Sequence, residues 1–198
     1  HNSIHGLPIK HSNSYKIFSF DPNGKDIDHK NITVINEFFS EDSLKKRNIN
    51  NVKLFFHSHL LEHIYDPLKF LRTIHKFIHD EGYHIFAIPN MSKMIQSSFA
   101  NAMNFEHPFY LDENTIEYLL SLTGFEVVEK KFFRDDHSIF YKTKKIEPKN
   151  VSSFNFYNEN KQLFKNLISS SISDTNKINK KINDYDGKVY IFGAHIFS

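Results

Sequence analysis

Short apolar runs with strand character alternate with helical stripes along the first 147 residues, and this alternation restricts the fold more than any other feature. After Asp66, the apolar residues Leu68, Leu71 and Ile74 recur every three or four positions, which predicts one face of a helix. Residues 83–88 (YHIFAI) then return to a strand pattern. Strands that alternate with helices form a mostly parallel sheet with helices on both faces.

The same patterns place the other elements of this α/β fold. Strands are predicted at residues 15–20 (YKIFSF), 52–56 (VKLFF) and 83–88, and the apolar run 32–39 has strand character around ITVI. A closing antiparallel pair is predicted at 125–133 and 138–144. Helices are predicted after Ser40, Asp66 and Asp112, and the last two of these helices are expected to end at the cap residues Gly82 and Gly124. The near-continuous apolar run VKLFF predicts a strand covered on both faces.

Composition excludes several classes of function. The sequence contains no cysteine, which rules out disulfides, thiolate metal sites and cysteine nucleophiles. A formal net charge of +2 does not provide the excess of positive charge that nucleic-acid binding needs. No apolar run reaches the roughly 20 residues that cross a bilayer. We therefore expect a soluble, cytoplasmic protein with a small-molecule substrate.

Thirteen histidines raise the question of a metal site. The densest group is the segment HSHLLEH, which contains His57, His59, Glu62 and His63. His57 and His59 would share one strand face, but the other two residues lie beyond the strand. Because imidazole sites usually need three converging ligands, the sequence predicts no metal.

Three segments occur in an order that resembles the class I S-adenosylmethionine-dependent methyltransferases. They are FFHSHLLEHIYDPLKFLRTIHKF, EGYHIFAIPN and EHPFYLDENTIEYLLSLTGFEVVE. The family shows a strand, a loop with Glu-His and Asp-Pro, a helix, a strand ending in Pro-Asn, and a helix ending in Gly-Phe. The resemblance implies a Rossmann-like sheet with a C-terminal antiparallel hairpin and S-adenosylmethionine as the cofactor.

The last residues carry a narrower resemblance. Residues 187–198 (GKVYIFGAHIFS) are similar to a strand in the C-terminal extension of sugar C-methyltransferases and of capsule-polysaccharide methyltransferases. This resemblance implies three parts: a methyltransferase domain at residues 1–147, a helical linker at 148–186 with one or two exposed helices, and the first strand of a second Rossmann-like module at 187–198.

One part of the family pattern is expected to be missing. The family's first strand carries a glycine-rich loop that holds the cofactor, whereas HNSIHGLPIKHSNS contains the single glycine Gly6. We expect the first strand and this loop to lie upstream of His1, and we expect the isolated chain to be poorly stable and to bind the cofactor weakly.

The resemblance implies cofactor-binding residues at the ends of two strands. Asp21 would accept hydrogen bonds from the two ribose hydroxyls, although an Asp-Pro-Asn-Gly turn explains the same residue. His57, Ser58 and His59 follow VKLFF at the sheet edge where α/β proteins bind ligands. The alternative for these three residues is a buried strand end.

Glu62 and His63 are the catalytic candidates, because a histidine can act as general base on a hydroxyl group. In sugar C-methyltransferases a tyrosine stands two residues before the Glu, and here that position is Leu60. This difference favours O-methylation over C-methylation. His107 and Tyr110 are predicted to bind the sugar, and the alternative for them is a packed aromatic loop.

The resemblance therefore implies methyl transfer to a nucleotide-linked or surface-polysaccharide sugar. Pro89 and Asn90 differ from the Asn-Pro-Pro-aromatic turn of enzymes that methylate nucleobase amines, which argues against a DNA methylase. Two alternatives remain. The chain could be a catalytically inactive scaffolding module, or a Rossmann-like nucleotide binder whose strand-glycine pattern is VYIFGAH.

Overall fold

The computed structural model of the chain describes residues 15–25, 30–99, 106–151 and 155–190. The chain divides into two compact units, residues 1–50 and residues 51–198. Each unit is described by itself.

The first unit contains a parallel strand pair and a short helix. Strand β1 (Ile17–Phe20) pairs with β2 (Ile32–Ile35) in parallel. Helix α1 (Glu41–Lys46) begins at the N-cap Ser40, whose hydroxyl accepts a hydrogen bond from the backbone N–H of Ser43. The helix ends at Lys46, and β2 consists of the residues ITVI, where the sequence predicts strand character.

The second unit is built on a four-stranded sheet. Its strands are β3 (Val52–Ser58), β4 (Ile78–Pro89), β5 (Phe125–Phe133) and β6 (Ser138–Lys145), in the spatial order β3-β4-β6-β5. β3 and β4 are parallel, and β6 runs antiparallel to both β4 and β5. Parallel strands followed by an antiparallel pair confirm the predicted α/β fold class.

Strand β3 differs from its prediction. Within the described part of the chain it pairs with β4 alone, and the side chains of Leu54 and Phe56 are 48% exposed. The prediction that VKLFF is covered on both faces is therefore wrong for this strand. Its apolar character matches a central strand, but its position is at an edge.

Helix α2 (Pro67–Phe77) begins as the sequence indicates and ends earlier than expected. Asp66 caps it by accepting a hydrogen bond from the backbone N–H of Lys69 at 2.9 Å. Ile78 adopts an extended conformation and pairs with Val52, so β4 begins directly after the helix. The prediction that Gly82 caps the helix is wrong, because Gly82 lies within β4 near a register shift.

Helix α4 (Glu113–Thr123) confirms both of its predicted ends. Asp112 accepts a hydrogen bond from the backbone N–H of Thr115 at 2.8 Å. Gly124 follows the last turn with a φ of +82°, the left-handed conformation that favours glycine. The helix thereby places β5 beside β6.

Helices α3 (Met91–Gln96) and α5 (Tyr157–Asn183) pack together on the second unit. Leu167 of α5 is 1% exposed and lies against Met94 and Ile95. The predicted linker is thus one helix of 27 residues, of which the first half is docked. The predicted strand at 187–198 lies largely outside the described residues and stays a prediction.

The described helices include none whose length and apolar character would let it span a bilayer.

Candidate functional site

The polar site of the second unit lies at the carboxyl end of β3. After Ser58, His59 turns the chain with a left-handed φ of 48°, and its backbone N–H donates a hydrogen bond to the Ala87 carbonyl at the end of β4. A single turn of 3₁₀ helix, Leu61–His63, follows. Leu61 is fully buried, which fixes this turn against the sheet. The carboxyl ends of parallel strands are the usual ligand edge of such sheets.

Glu62 is a buried carboxylate between two histidines. Its side chain is 1% exposed, and Oε1 lies 3.4 Å from His59 Nδ1 and 4.0 Å from His63 Nε2. The second oxygen, Oε2, is buried and has no hydrogen-bond partner among the described residues. Because a buried carboxylate is costly without hydrogen bonds or a cation, this residue is a strong candidate for function.

His63 is held in one orientation by the backbone. Its Nδ1–H donates a hydrogen bond to the Glu106 carbonyl oxygen at 3.0 Å, since a carbonyl can only accept. The lone pair of the neutral ring is therefore on Nε2, the atom that faces the Glu62 carboxylate. The ring of His107 lies 4.9 Å from the ring of His63. The structure thus brings Glu62, His63 and His107 together.

Tyr110 lies away from this group. Its hydroxyl is hydrogen-bonded to Ser92 Oγ at 2.9 Å, and its ring packs on Phe164 of α5. Burial raises the pKa of the Tyr110 hydroxyl above its usual value. These contacts favour the alternative of a packed aromatic loop for Tyr110, while its ring still lines one wall of a cleft.

A cleft of the second unit has a volume of about 380 Å³, and its walls do not include Glu62, His63 or His107. Its walls come from the start of α2 and from the segment before α4, and they include Tyr65, Pro67, Leu68, Phe109 and Leu119. Tyr65 and Phe109 are exposed aromatic side chains. A mostly apolar cleft of this volume is a usual form of small-molecule site.

The three predicted cofactor residues of β3 and its end lie in different environments. His57 Nε2 is 3.0 Å from His84 Nε2, and the His57 ring stacks on Phe86. Burial lowers the pKa of His57 to about 3. This placement favours a buried strand end for the His57 side chain. Ser58 is exposed, and the His59 ring reaches Ser138 Oγ at 3.3 Å.

Asp21 occupies the end of β1 in the first unit. Its backbone N–H donates to the Ile35 carbonyl, and its Oδ1 accepts a hydrogen bond from the backbone N–H of Asn23 at 2.9 Å. The Gly24 N–H donates to the Asp21 carbonyl. Asp21 therefore forms the predicted turn, and its carboxylate also has the chemistry to accept ribose hydroxyls.

Sequence reasoning missed several residues of the site. Glu106 orients His63, and Ser138 and His137 lie beside His59. Because β6 runs antiparallel to β4, the first residue of β6 lies at the carboxyl end of β4. The predicted hairpin topology could therefore have indicated Ser138. No comparable signal existed for the Glu106 carbonyl.

The fold and the site together define an α/β enzyme with a ligand edge at the carboxyl ends of parallel strands. The chain matches the family model of the methyltransferase domain over residues 9–130. The match covers more than half of the chain, and the chain belongs to the methyltransferase domain family. This membership confirms the prediction of a methyltransferase and of S-adenosylmethionine as its cofactor.

Two solved structures show a similar fold. One is a SAM-dependent methyltransferase from Archaeoglobus fulgidus, with 15% identity and a TM-score of 0.52, matched over 65% of this chain and 75% of that chain. The other is a chain of the complex between the Haloferax volcanii Trm112 methyltransferase activator and a methyltransferase, with 12% identity and a TM-score of 0.51, matched over 67% and 73%. No match was found among curated proteins.

Proposed function

We propose that the protein transfers a methyl group to a hydroxyl of a sugar, either nucleotide-linked or part of a surface polysaccharide. Glu62 and His63 remove the hydroxyl proton. The observation that carries this proposal is the orientation of His63, whose Nδ1–H is fixed on the Glu106 carbonyl and whose Nε2 lone pair is thereby available.

Asp21, Ser58 and His59, which lie at the ends of parallel strands, carry hydrogen-bonding groups that suit the polar parts of the cofactor. In the first unit the Asp21 carboxylate follows a parallel strand, and a carboxylate suits the two hydroxyls of a ribose. In the second unit Ser58 and His59 follow β3 at the ligand edge. S-adenosylmethionine supplies an electrophilic methyl group on a sulfonium.

The proton transfer involves only residues of the second unit. The acceptor O–H gives its proton to His63 Nε2, and the electron pair of the O–H bond stays on the acceptor oxygen. That oxygen would take the methyl group from the bound cofactor, whose S–CH₃ bond breaks to leave a neutral thioether. The Glu62 carboxylate, 4.0 Å from Nε2, stabilises the positive charge that forms on the ring. The oxygen acceptor is favoured because Leu60 stands where C-methylating relatives have a tyrosine.

Three features support a small sugar acceptor. The cleft that Tyr65 and Phe109 line is about 380 Å³, which is the size of a small-molecule site. Its exposed aromatic side chains, Tyr65 and Phe109, can cover the apolar face of a sugar ring. The near-neutral charge of +2 provides little attraction for nucleic acid.

Product analysis tests the proposal. The protein, at the full length at which its cell makes it, is incubated with methyl-labelled S-adenosylmethionine and a panel of nucleotide sugars, and the products are analysed by mass spectrometry. We expect one labelled methyl ether. A labelled C-methyl product would contradict the assignment of an oxygen acceptor, and labelling of RNA but of no sugar would contradict the acceptor class. Absence of any transfer with bound cofactor would favour the inactive scaffolding module.

A further inference from the structure

We propose that Glu62, His63 and His107 form a binding site for a divalent transition-metal ion, best suited to Zn²⁺, and that the bound ion inhibits methyl transfer. Binding of the ion depends on these three side chains alone. Only its effect on turnover rests on the proposed function.

The three side chains offer a suitable ligand set at short range. One ring nitrogen of each histidine and one carboxylate oxygen of Glu62 all lie within 4.8 Å of one another. Tetrahedral zinc with bonds of about 2.1 Å holds its ligands about 3.4 Å apart. Binding therefore needs the most distant pair of ligand atoms to approach by up to about 1.4 Å, through rotation of the side chains. Two histidines and one glutamate are a known zinc ligand set that leaves a fourth position open.

The buried carboxylate of Glu62 needs a partner of opposite charge. Glu62 is 1% exposed, and its Oε2 has no hydrogen-bond partner among the described residues. The neighbouring Leu61 is also fully buried, so the 3₁₀ turn that carries this carboxylate is held by packing. A bound cation compensates a buried carboxylate.

His63 has the orientation of a typical histidine metal ligand, in which one ring nitrogen is hydrogen-bonded and the other is available for the ion. Its Nδ1–H donates to the Glu106 carbonyl, which leaves Nε2 as the ligand atom and fixes the plane of the ring. A histidine ligand in proteins almost always has such a partner on its other nitrogen. His59 Nδ1 approaches the same carboxylate at 3.4 Å and thereby helps to orient Glu62.

The ion has access from solvent. The side chain of His63 is 36% exposed, and His107 is half-buried. The site therefore joins a buried anion to two imidazoles on the accessible side, and a water molecule takes the fourth position.

Metal binding and proton transfer use the same lone pair. Nε2 of His63 holds either the ion or the acceptor proton, because a neutral imidazole has one available lone pair. An ion at this site consequently prevents His63 from acting as the base. The chain would then bind the cofactor but turn over slowly while zinc is present.

Zinc binding is tested by competition with a chromophoric chelator, with Zn²⁺ as the probe. We expect one site whose affinity falls at least about tenfold in Glu62→Gln, His63→Gln and His107→Gln. The matched control is His79→Gln, since His79 is a half-buried histidine of β4 outside the group, and it should keep the affinity of the parent protein. Thermal unfolding verifies that each variant is folded. Equal zinc affinity in the parent protein and in His107→Gln overturns the site.

Turnover provides the second arm of the test. We expect saturating Zn²⁺ to lower methyl transfer at least about tenfold in the parent protein and in His79→Gln, and chelation to reverse this loss. In His107→Gln the ratio of turnover with and without Zn²⁺ should approach one. Zinc binding without any methyl transfer under any condition would contradict the proposed function and leave the metal site standing. Methyl transfer that saturating zinc leaves unchanged would overturn the inhibition.

Discussion

Nε2 of His57 lies 3.0 Å from Nε2 of His84, and neither Nδ1 atom of the pair has a hydrogen-bond partner among the described residues. One ring donates its Nε2–H to the lone pair of the other, so both rings are neutral. Burial lowers the pKa of His57 to about 3. Burial and the neighbouring His57 lower the pKa of His84 well below its usual value. An uncharged pair of histidines therefore connects the carboxyl end of β3 to β4.

This pair predicts a loss of stability on mild acidification. Both histidines take up protons near pH 6.5 in the unfolded chain and at lower pH in the folded chain, so the free energy of unfolding falls as the pH decreases below about 6.5. The slope should approach about 1.4 kcal/mol per pH unit for each histidine. Urea unfolding between about pH 7.5 and pH 5 measures it.

The change of unfolding free energy with pH, and not its absolute value, distinguishes the His57–His84 pair from other titratable groups. His57→Gln should reduce the slope by roughly half, while His79→Gln should leave it unchanged. Glu37, whose pKa is lowered to about 2 by Arg47 and Ser43, contributes only below about pH 4.5 and stays outside the measured range. An unchanged slope in His57→Gln would contradict this interpretation.

Gly124→Ala should destabilise the second unit. The residue has a φ of +82°, and an added Cβ would lie 2.5 Å from His75 Nε2 and 2.7 Å from the Ile146 carbonyl oxygen. Left-handed backbone alone costs a non-glycine residue about 1–2 kcal/mol, so we expect at least that loss. The control is Gly187→Ala, where the new Cβ would meet only the side chain of Tyr185. Equal, small effects in both variants would show that the cap is not required.

Leu167→Ala should show that helix α5 is part of the folded unit. Leu167 is 1% exposed in the cluster with Met94 and Ile95, and loss of a buried leucine costs about 2–5 kcal/mol. Ile168→Ala is the matched control, because this neighbour is 51% exposed. Urea unfolding compares the two. Similar losses in both variants would mean that α5 is not docked.

Local chemistry explains why the ends of α4 could be read from the sequence. Asp112 and Gly124 act through hydrogen bonds and backbone conformation within a few residues, so the cap residues carry the information themselves. The apolar stripe of α2 likewise places Leu71 and Ile74 in the core. These features need no knowledge of distant residues.

Features that depend on distant contacts could not be read in the same way. Gly82 looked like a helix cap, but pairing of Ile78 with Val52 ends the helix earlier. His107 joins Glu62 and His63 across more than 40 positions of sequence, and no periodic pattern links them. His84 alternates like any strand residue, and its contact with His57 forms only because the sheet register sets His57 opposite Phe86, two residues from His84.

Cofactor affinity and turnover of His63→Gln test the central claim most directly. In the presence of a chelator, we expect turnover to fall at least about 100-fold while the dissociation constant of S-adenosylmethionine stays within about twofold, because His63 acts on the acceptor proton. His79→Gln should keep both values. Equal losses of turnover and of cofactor affinity in His63→Gln would contradict the account and assign His63 a structural role.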